Sequence, residues 1–175
     1  MLTIRQFACA CCGFACSMCA TDGVFIKSKG VCSGLGGLEP LDVSAPPHAV
    51  IINLGQNDYG AGHIPSSQMW ISAYTNFVAN ITATYHAAIP PRFFLACGGM
   101  ADKYCKDTEQ AAQHMRTHGG LTNVFYLDIT MAGAGAWKNG TTEGCPGSPG
   151  SHPSFVSHAL MAKAAESTVR EAMGW

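Results

Sequence analysis

The chain has 175 residues, enough for one domain with a single sizeable hydrophobic core. Hydrophobic residues make up 47% and charged residues 12%, which is typical of a globular domain and not of a disordered chain. The formal net charge is -1 without long runs of Lys or Arg, so we expect no nucleic acid partner, and no apolar stretch reaches the roughly 18–20 residues of a membrane-spanning helix.

The first part of the chain is rich in cysteine. Six of the nine cysteines lie within the first 32 residues: Cys9, Cys11, Cys12, Cys16, Cys19 and Cys32. Residues 1–20 combine Arg5 with an apolar stretch and a small Ala20, which is typical of a secretory signal peptide and would make the protein secreted. The same segment is apolar enough to form a strand of the sheet. We therefore keep two interpretations of residues 1–20, a signal peptide or a replacement strand, and assign residues 21–175 to one domain.

After residue 20, predicted strands alternate with predicted helices, which indicates an α/β fold with a parallel sheet. In chain order we predict a strand at 48–55, a helix at about 68–88, a strand at 92–98, a helix at 105–118, a strand at 124–130 and a helix at about 154–173. The first helix has an apolar face at helical spacing, formed by Tyr74, Phe77, Val78, Ile81 and Tyr85. The last helix, with Ser154 as its N-cap, offers Phe155, Leu160, Met161, Ala164, Ala165, Val169 and Ala172.

A polar segment, Gly55-Gln56-Asn57-Asp58, directly follows the first of these strands. In α/β proteins, sites lie beyond the carboxyl ends of strands. The side-chain amide of Asn57 can donate a hydrogen bond to an oxyanion, an interaction whose loss typically costs about 2.7–4 kcal/mol of transition-state stabilisation. The alternative is that Asn57 and Asp58 only shape a turn, as these residue types often do.

Two further segments carry candidate functional groups. His152-Pro153 directly follows the Gly-, Pro- and Ser-rich stretch 131–151 and lies just before the last helix. Histidine can act as a general base because its unperturbed pKa lies near 6.5, although a lone histidine is more often a surface or packing residue. Ser33-Gly34 opens a short Gly-rich stretch whose backbone N–H groups could face an anion, but it lacks the pattern of a nucleotide-binding loop.

In this order, the segments resemble the SGNH hydrolases, also called GDSL esterases. The family has four blocks: a Ser in GDS, a Gly, an Asn in G-x-N-D, and a His in D-x-x-H-P. Gly55-Gln56-Asn57-Asp58 matches the third block, and Ser33-Gly34 resembles the second. Gly144-Cys145 followed by Ser151-His152-Pro153 is similar to the last block of the carbohydrate-esterase branch. The resemblance covers about residues 30–175.

The resemblance implies a three-layer α/β/α sandwich of the flavodoxin-like SGNH type, truncated at its N-terminus. It implies that Asn57 and the backbone N–H of Gly34 form the oxyanion hole and that His152 activates the nucleophile. The implied substrates are short acyl, acetyl-like esters, including acetylated carbohydrate, and no cofactor or metal is implied. A segment similar to one in secreted members implies a disulfide between Cys97 and Cys105.

The sequence departs from the family pattern at the nucleophile. No GDS block precedes Gly34, and Pro149 stands where the family has an Asp that orients the histidine. Two interpretations follow: the chain is an inactive fragment of an esterase, or it is an active esterase in which Cys16, Ser17 or Cys19 acts as a surrogate nucleophile. The alternative is a non-catalytic relative that binds a sugar or acyl ligand. A cysteine-rich metal protein is the weakest hypothesis, because the clustered cysteines lack a second, well-spaced pair of ligands.

Overall fold

The computed structural model describes residues 5–6, 46–55, 58–59, 64–85, 89–98, 102–130 and 155–175, with the side chains of the last helix described from residue 159 onward. Within these ranges the chain forms, in order, β1 (Arg5–Gln6), β2 (Ala49–Ile52), α1 (Ser67–Tyr85), β3 (Arg92–Cys97), α2 (Cys105–Thr117), β4 (Val124–Asp128) and α3 (Phe155–Met173). Each predicted strand and helix after residue 46 is present. The strands are a few residues shorter than predicted.

The strands form one parallel sheet in the order β1-β2-β3-β4. Val50 lies opposite Phe93, and Phe93 lies opposite Val124, so the three longer strands are aligned in register. All three of these side chains are fully buried. Parallel strands are covered on both faces, which is why they appear in the sequence as continuous apolar runs.

One face of the sheet is covered by α1 and α2. Strand residues such as Ile52 and Leu95 point to this face and are almost fully buried. The buried residues of α1 recur every three or four positions, as the helical period requires: Trp70, Tyr74, Val78, Ile81 and Tyr85. The predicted apolar face of this helix is confirmed, and Trp70 extends it by one turn.

The opposite face of the sheet is covered by α3. Phe94 and Leu127 point to this side and share a buried cluster with Met161 and Val169 of the helix. Helices on both faces of a parallel sheet confirm the predicted three-layer α/β/α sandwich.

The predicted packing face of α3 was too wide. Met161, Ala165 and Val169 form the stripe that faces the sheet. Leu160 is 39% exposed and Ala164 is also exposed. Each lies one position before a residue of the stripe, which turns its side chain by about 100° away from the sheet.

Of residues 1–20, the structure describes Arg5–Gln6, which pair with Val50 and Ile51 at the edge of the sheet. The apolar segment 7–20 lies outside the described residues, so the choice between a signal peptide and a replacement strand stays a prediction. The stretch 131–151 and the N-cap position Ser154 also lie outside them. In the described part of the chain, no helix is both long and apolar enough to cross a membrane.

Candidate active site

The carboxyl ends of β2 and β3 are joined by a hydrogen-bond network around Tyr104. The hydroxyl of Tyr104 donates to Oδ1 of Asn53 at 3.1 Å and accepts from the backbone N–H of Gly98 at 3.3 Å. Nδ2 of Asn53 donates to the carbonyl oxygen of Gly98 at 3.3 Å. Tyr104 is fully buried. The network fixes the ends of two neighbouring strands at the edge where an α/β fold binds its ligands.

Gly55 has a backbone conformation and a close packing contact that both favour glycine. Its φ is +100°, a conformation that side-chain-bearing residues rarely adopt. A Cβ at this position would lie 1.8 Å from Cη2 of Trp70, so the indole ring packs directly against the backbone. Gly55 therefore brings the chain after β2 into contact with α1.

Trp70 belongs to an aromatic cluster that we define as Tyr59, Trp70, Tyr74 and Tyr104. The ring centroids of Trp70 and Tyr74 are 5.3 Å apart, and those of Trp70 and Tyr104 are 5.8 Å apart. Nε1 of Trp70 donates to Oγ1 of Thr108 at 3.2 Å, and the hydroxyl of Tyr74 donates to the carbonyl oxygen of Leu54 at 2.9 Å. The aromatic cluster thus holds the chain after β2 against both α1 and α2.

Tyr59 contributes a polar contact to the same cluster. Its hydroxyl donates to Oδ2 of Asp107 in the first turn of α2. Burial, and to a lesser extent the hydrogen bond and charge of Asp107, raise the pKa of Tyr59 well above its usual value. The phenol therefore stays protonated and remains the donor at any physiological pH.

Two other tyrosines have raised pKa values. Burial raises the pKa of Tyr74 well above its usual range, with the neighbouring Tyr104 as the next cause. Burial, together with the smaller effects of Asp128 and Glu109, raises the pKa of Tyr126 to about 12. These phenols act as neutral hydrogen-bond donors or packing groups and not as bases.

The structure tests little of the predicted catalytic set. Gly55 and Asp58 are described, and Asp58 is exposed. Asn57, His152 and the backbone of Gly34 lie outside the described residues, so their roles remain predictions. Cys16, Ser17 and Cys19, considered above as surrogate nucleophiles, also lie outside.

Sequence reasoning did not identify the residues that surround Gly55. Trp70 could have been found from its position four residues before Tyr74, which continues the apolar face of α1. Tyr59 directly follows Asp58, but no sequence pattern marks it as part of a site. Its pairing with Asp107, 48 positions away, follows only from the packing of α2 against α1.

The predicted disulfide between Cys97 and Cys105 is confirmed. It joins the last residue of β3 to the first residue of α2, eight positions apart. The covalent link fixes the start of α2, and with it Asp107 and Thr108, to the carboxyl edge of the sheet.

Substitution of either Cys97 or Cys105 by Ala is expected to lower the free energy of unfolding by about 2–3 kcal/mol, because the open chain gains conformational freedom when unfolded. Denaturant-induced unfolding measures this loss. The free energy of unfolding of the double variant should be only slightly lower than that of the less stable single variant, since either substitution already removes the whole bond. Independent, additive losses would contradict the bond.

Among the described residues, no group of three His, Cys, Asp or Glu side chains is placed to hold a metal ion. The polar groups that are described at the carboxyl edge include the amide of Asn53, several hydroxyls and the carboxylates of Asp58, Asp107 and Asp128. Such groups can donate or accept hydrogen bonds from a neutral ligand.

No protein-family model matches the chain, and no curated protein does so. Solved structures do resemble it. One is a family two carbohydrate esterase from Clostridium thermocellum in complex with cellohexaose, with 22% identity, a TM-score of 0.59, and coverage of 77% of this chain and 39% of that one. A second is the family two carbohydrate esterase from Cellvibrio japonicus, with 21% identity and a TM-score of 0.55. The match covers 75% of this chain and 35% of that one.

A third structure is a family two carbohydrate esterase with a carbohydrate binding domain from Corynascus thermopiles (Myceliophthora fergusii). It has 23% identity, a TM-score of 0.53, and coverage of 75% of this chain and 39% of that one. The chain thus spans well under half the length of each of these proteins. At this identity the likeness concerns the fold: the chain has the parallel α/β/α fold of the family two carbohydrate esterases, which is of the SGNH type.

Proposed function

We propose that this chain belongs to a carboxylic ester hydrolase of the SGNH class that removes short acyl groups from carbohydrate. One observation carries the proposal. The segment Gly55-Gln56-Asn57-Asp58 starts at the carboxyl edge of a parallel sheet whose fold is that of carbohydrate esterases. In that fold class, ligands bind beyond this edge. A match of motif, position and fold is more specific than any of the three alone.

In the proposed mechanism, each predicted residue has one role. The side-chain amide of Asn57 and the backbone N–H of Gly34 donate hydrogen bonds to the oxyanion of the tetrahedral intermediate. His152 takes the proton from the nucleophile and then gives it to the departing alcohol. Asp58 has no catalytic role in this scheme, in keeping with its exposed position.

Carbohydrate as the substrate class is supported by the neighbouring structures. All three are named carbohydrate esterases, and one of them is complexed with cellohexaose. The similarity of Gly144-Cys145 and Ser151-His152-Pro153 to the carbohydrate-esterase branch agrees with this choice.

A secreted location is part of the proposal. The Cys97–Cys105 disulfide supports it, because disulfides form and persist mainly in oxidising compartments. The signal-peptide interpretation of residues 1–20 supports it as well.

The nucleophile is the part of the proposal that most needs a test. We would incubate the 175-residue chain with p-nitrophenyl acetate and with an acetylated cello-oligosaccharide, and measure acetate release. A fluorophosphonate reagent, which labels activated serines, would then be located by mass spectrometry. Turnover of both substrates with a label on a single serine would support the proposed function and identify the nucleophile.

The outcomes separate the two candidate functions. Saturable binding of the acetylated oligosaccharide, without turnover and without label, would favour the non-catalytic relative. That relative keeps the loop with Gly55 and Asn57 as a ligand-binding site. Absence of turnover, label and binding would contradict both functions for this chain.

A further inference from the structure

We propose that Tyr59 and Asp107 are positioning residues for the oxyanion loop, which we define as Gly55 to Tyr59. The hydrogen bond between them holds one end of this loop, while Trp70 holds the other end at Gly55. This inference rests on the proposed function, because it assigns a role to residues that act through Asn57.

The first end of the loop is held by packing. Gly55 has no side chain, and the indole of Trp70 occupies the space where a Cβ would be. Trp70 is 5% exposed and donates a hydrogen bond to Thr108 of α2 at 3.2 Å. Movement of Gly55 toward α1 is therefore blocked by a ring that is itself fixed on both sides.

The second end of the loop is held by a hydrogen bond and by the same indole. The ring of Tyr59 meets that of Trp70 edge-on, with the centroids 4.9 Å apart. The hydroxyl of Tyr59 donates to Asp107, and its backbone N–H donates to the carbonyl oxygen of Gly55 at 3.3 Å. The two ends of the loop are thus joined to each other as well as to the helices.

Asp107 holds a fixed position because α2, the helix that carries it, is anchored to the sheet. The helix begins at Cys105, which is bonded to Cys97 at the end of β3. An acidic side chain in the first turn of a helix is also stabilised by the helix dipole. The position of Tyr59 is therefore set relative to the same sheet edge that carries Gly55.

The consequence for catalysis is geometric. Asn57 lies between Gly55 and Tyr59 in the chain, two residues from each. An oxyanion donor works only if it points at the place where negative charge develops. A displacement of about 1 Å can lower the rate by about 100-fold, so we expect the contacts that hold both ends of the loop to affect kcat.

The first experiment removes only the hydroxyl of Tyr59. We expect Tyr59→Phe to lower kcat for p-nitrophenyl acetate by about 10- to 100-fold, with KM changed by less than about twofold. The matched control is Tyr126→Phe, which removes a hydroxyl from β4, a strand that β3 separates from β2, and should leave both constants near those of the unsubstituted chain. Asp107→Ala should behave like Tyr59→Phe, whereas Asp107→Asn, which keeps an acceptor oxygen, should retain more activity.

A double-mutant cycle with Asn57→Ala separates this inference from the proposed function. If Tyr59 acts through Asn57, Tyr59→Phe should have almost no further effect on kcat in the Asn57→Ala background. Should Asn57→Ala itself leave kcat unchanged, the proposed oxyanion hole is wrong. Should Asn57→Ala lower kcat while Tyr59→Phe does not, the positioning role alone is wrong.

Hydrogen exchange tests the same inference without any need for turnover. The amide at position 59 is protected by its hydrogen bond to Gly55. We expect Tyr59→Phe to speed exchange of this amide by about tenfold or more, while amides in the core of β3 are unaffected. Unchanged exchange at position 59 would overturn the inference, and faster exchange throughout the chain would mean that Tyr59 only stabilises the fold.

Discussion

The His152→Ala variant is expected to hydrolyse p-nitrophenyl acetate at least about 1,000-fold more slowly than the unsubstituted chain. Without the imidazole, no group takes the proton from the nucleophile or returns it to the leaving alcohol. Initial rates at saturating substrate would measure the loss in kcat. The oxyanion hole alone would leave some residual rate above that in water.

His48→Ala is the matched control for this experiment. His48 is exposed and precedes β2, so it lies at the amino edge of the sheet, opposite the proposed site. Its backbone carbonyl accepts a hydrogen bond from Arg92, which the substitution leaves in place. The control should keep the full rate. Equal rates for the His152→Ala variant and the unsubstituted chain would rule out His152 as the base.

Gly55→Ala is expected to lower the free energy of unfolding by about 2–5 kcal/mol, the sum of about 1–2 for the positive φ and about 1–3 for the crowded contact. The added methyl would lie 1.8 Å from the ring of Trp70, which cannot turn away without losing its hydrogen bond to Thr108. Denaturant-induced unfolding gives the free energy directly.

Gly120→Ala provides the control for Gly55→Ala. Gly120 also has a positive φ, of 65°, but a Cβ there would meet nothing within 4 Å. Its substitution should therefore cost only the conformational part, about 1–2 kcal/mol. In a Trp70→Leu background, Gly55→Ala should cost no more than Gly120→Ala does. If Gly55→Ala still lowered the free energy of unfolding by the full amount in that background, the indole would not be the group that crowds Gly55.

Local patterns were sufficient to predict the elements of the fold. β3 is a run of apolar residues from Phe93 to Cys97, all fully buried, and such a run is typical of a strand covered on both sides. α1 has an apolar face repeated every three or four residues, which holds in any tertiary context. Both patterns follow from the repeat of the strand and of the helix, so they can be recognised in a single sequence.

The packing face of α3 was harder to predict because the helix has small or apolar residues on more than one side. Leu160 and Ala164 fitted the expected pattern as well as Met161 and Ala165 did. The position of the sheet decides which stripe is buried, and this position is set by strands that lie far away in sequence. Periodicity alone could not choose between neighbouring stripes.

The sequence by itself determined the α/β alternation, the position of the Gly55-Gln56-Asn57-Asp58 segment after a strand and, through its resemblance to a family, the Cys97–Cys105 disulfide. The tertiary structure decided what surrounds that segment. Trp70 against Gly55 and Tyr59 with Asp107 are contacts between α1, α2 and the chain after β2. Long-range contacts of this kind depend on how helices pack on the sheet, and no local pattern of residues encodes them.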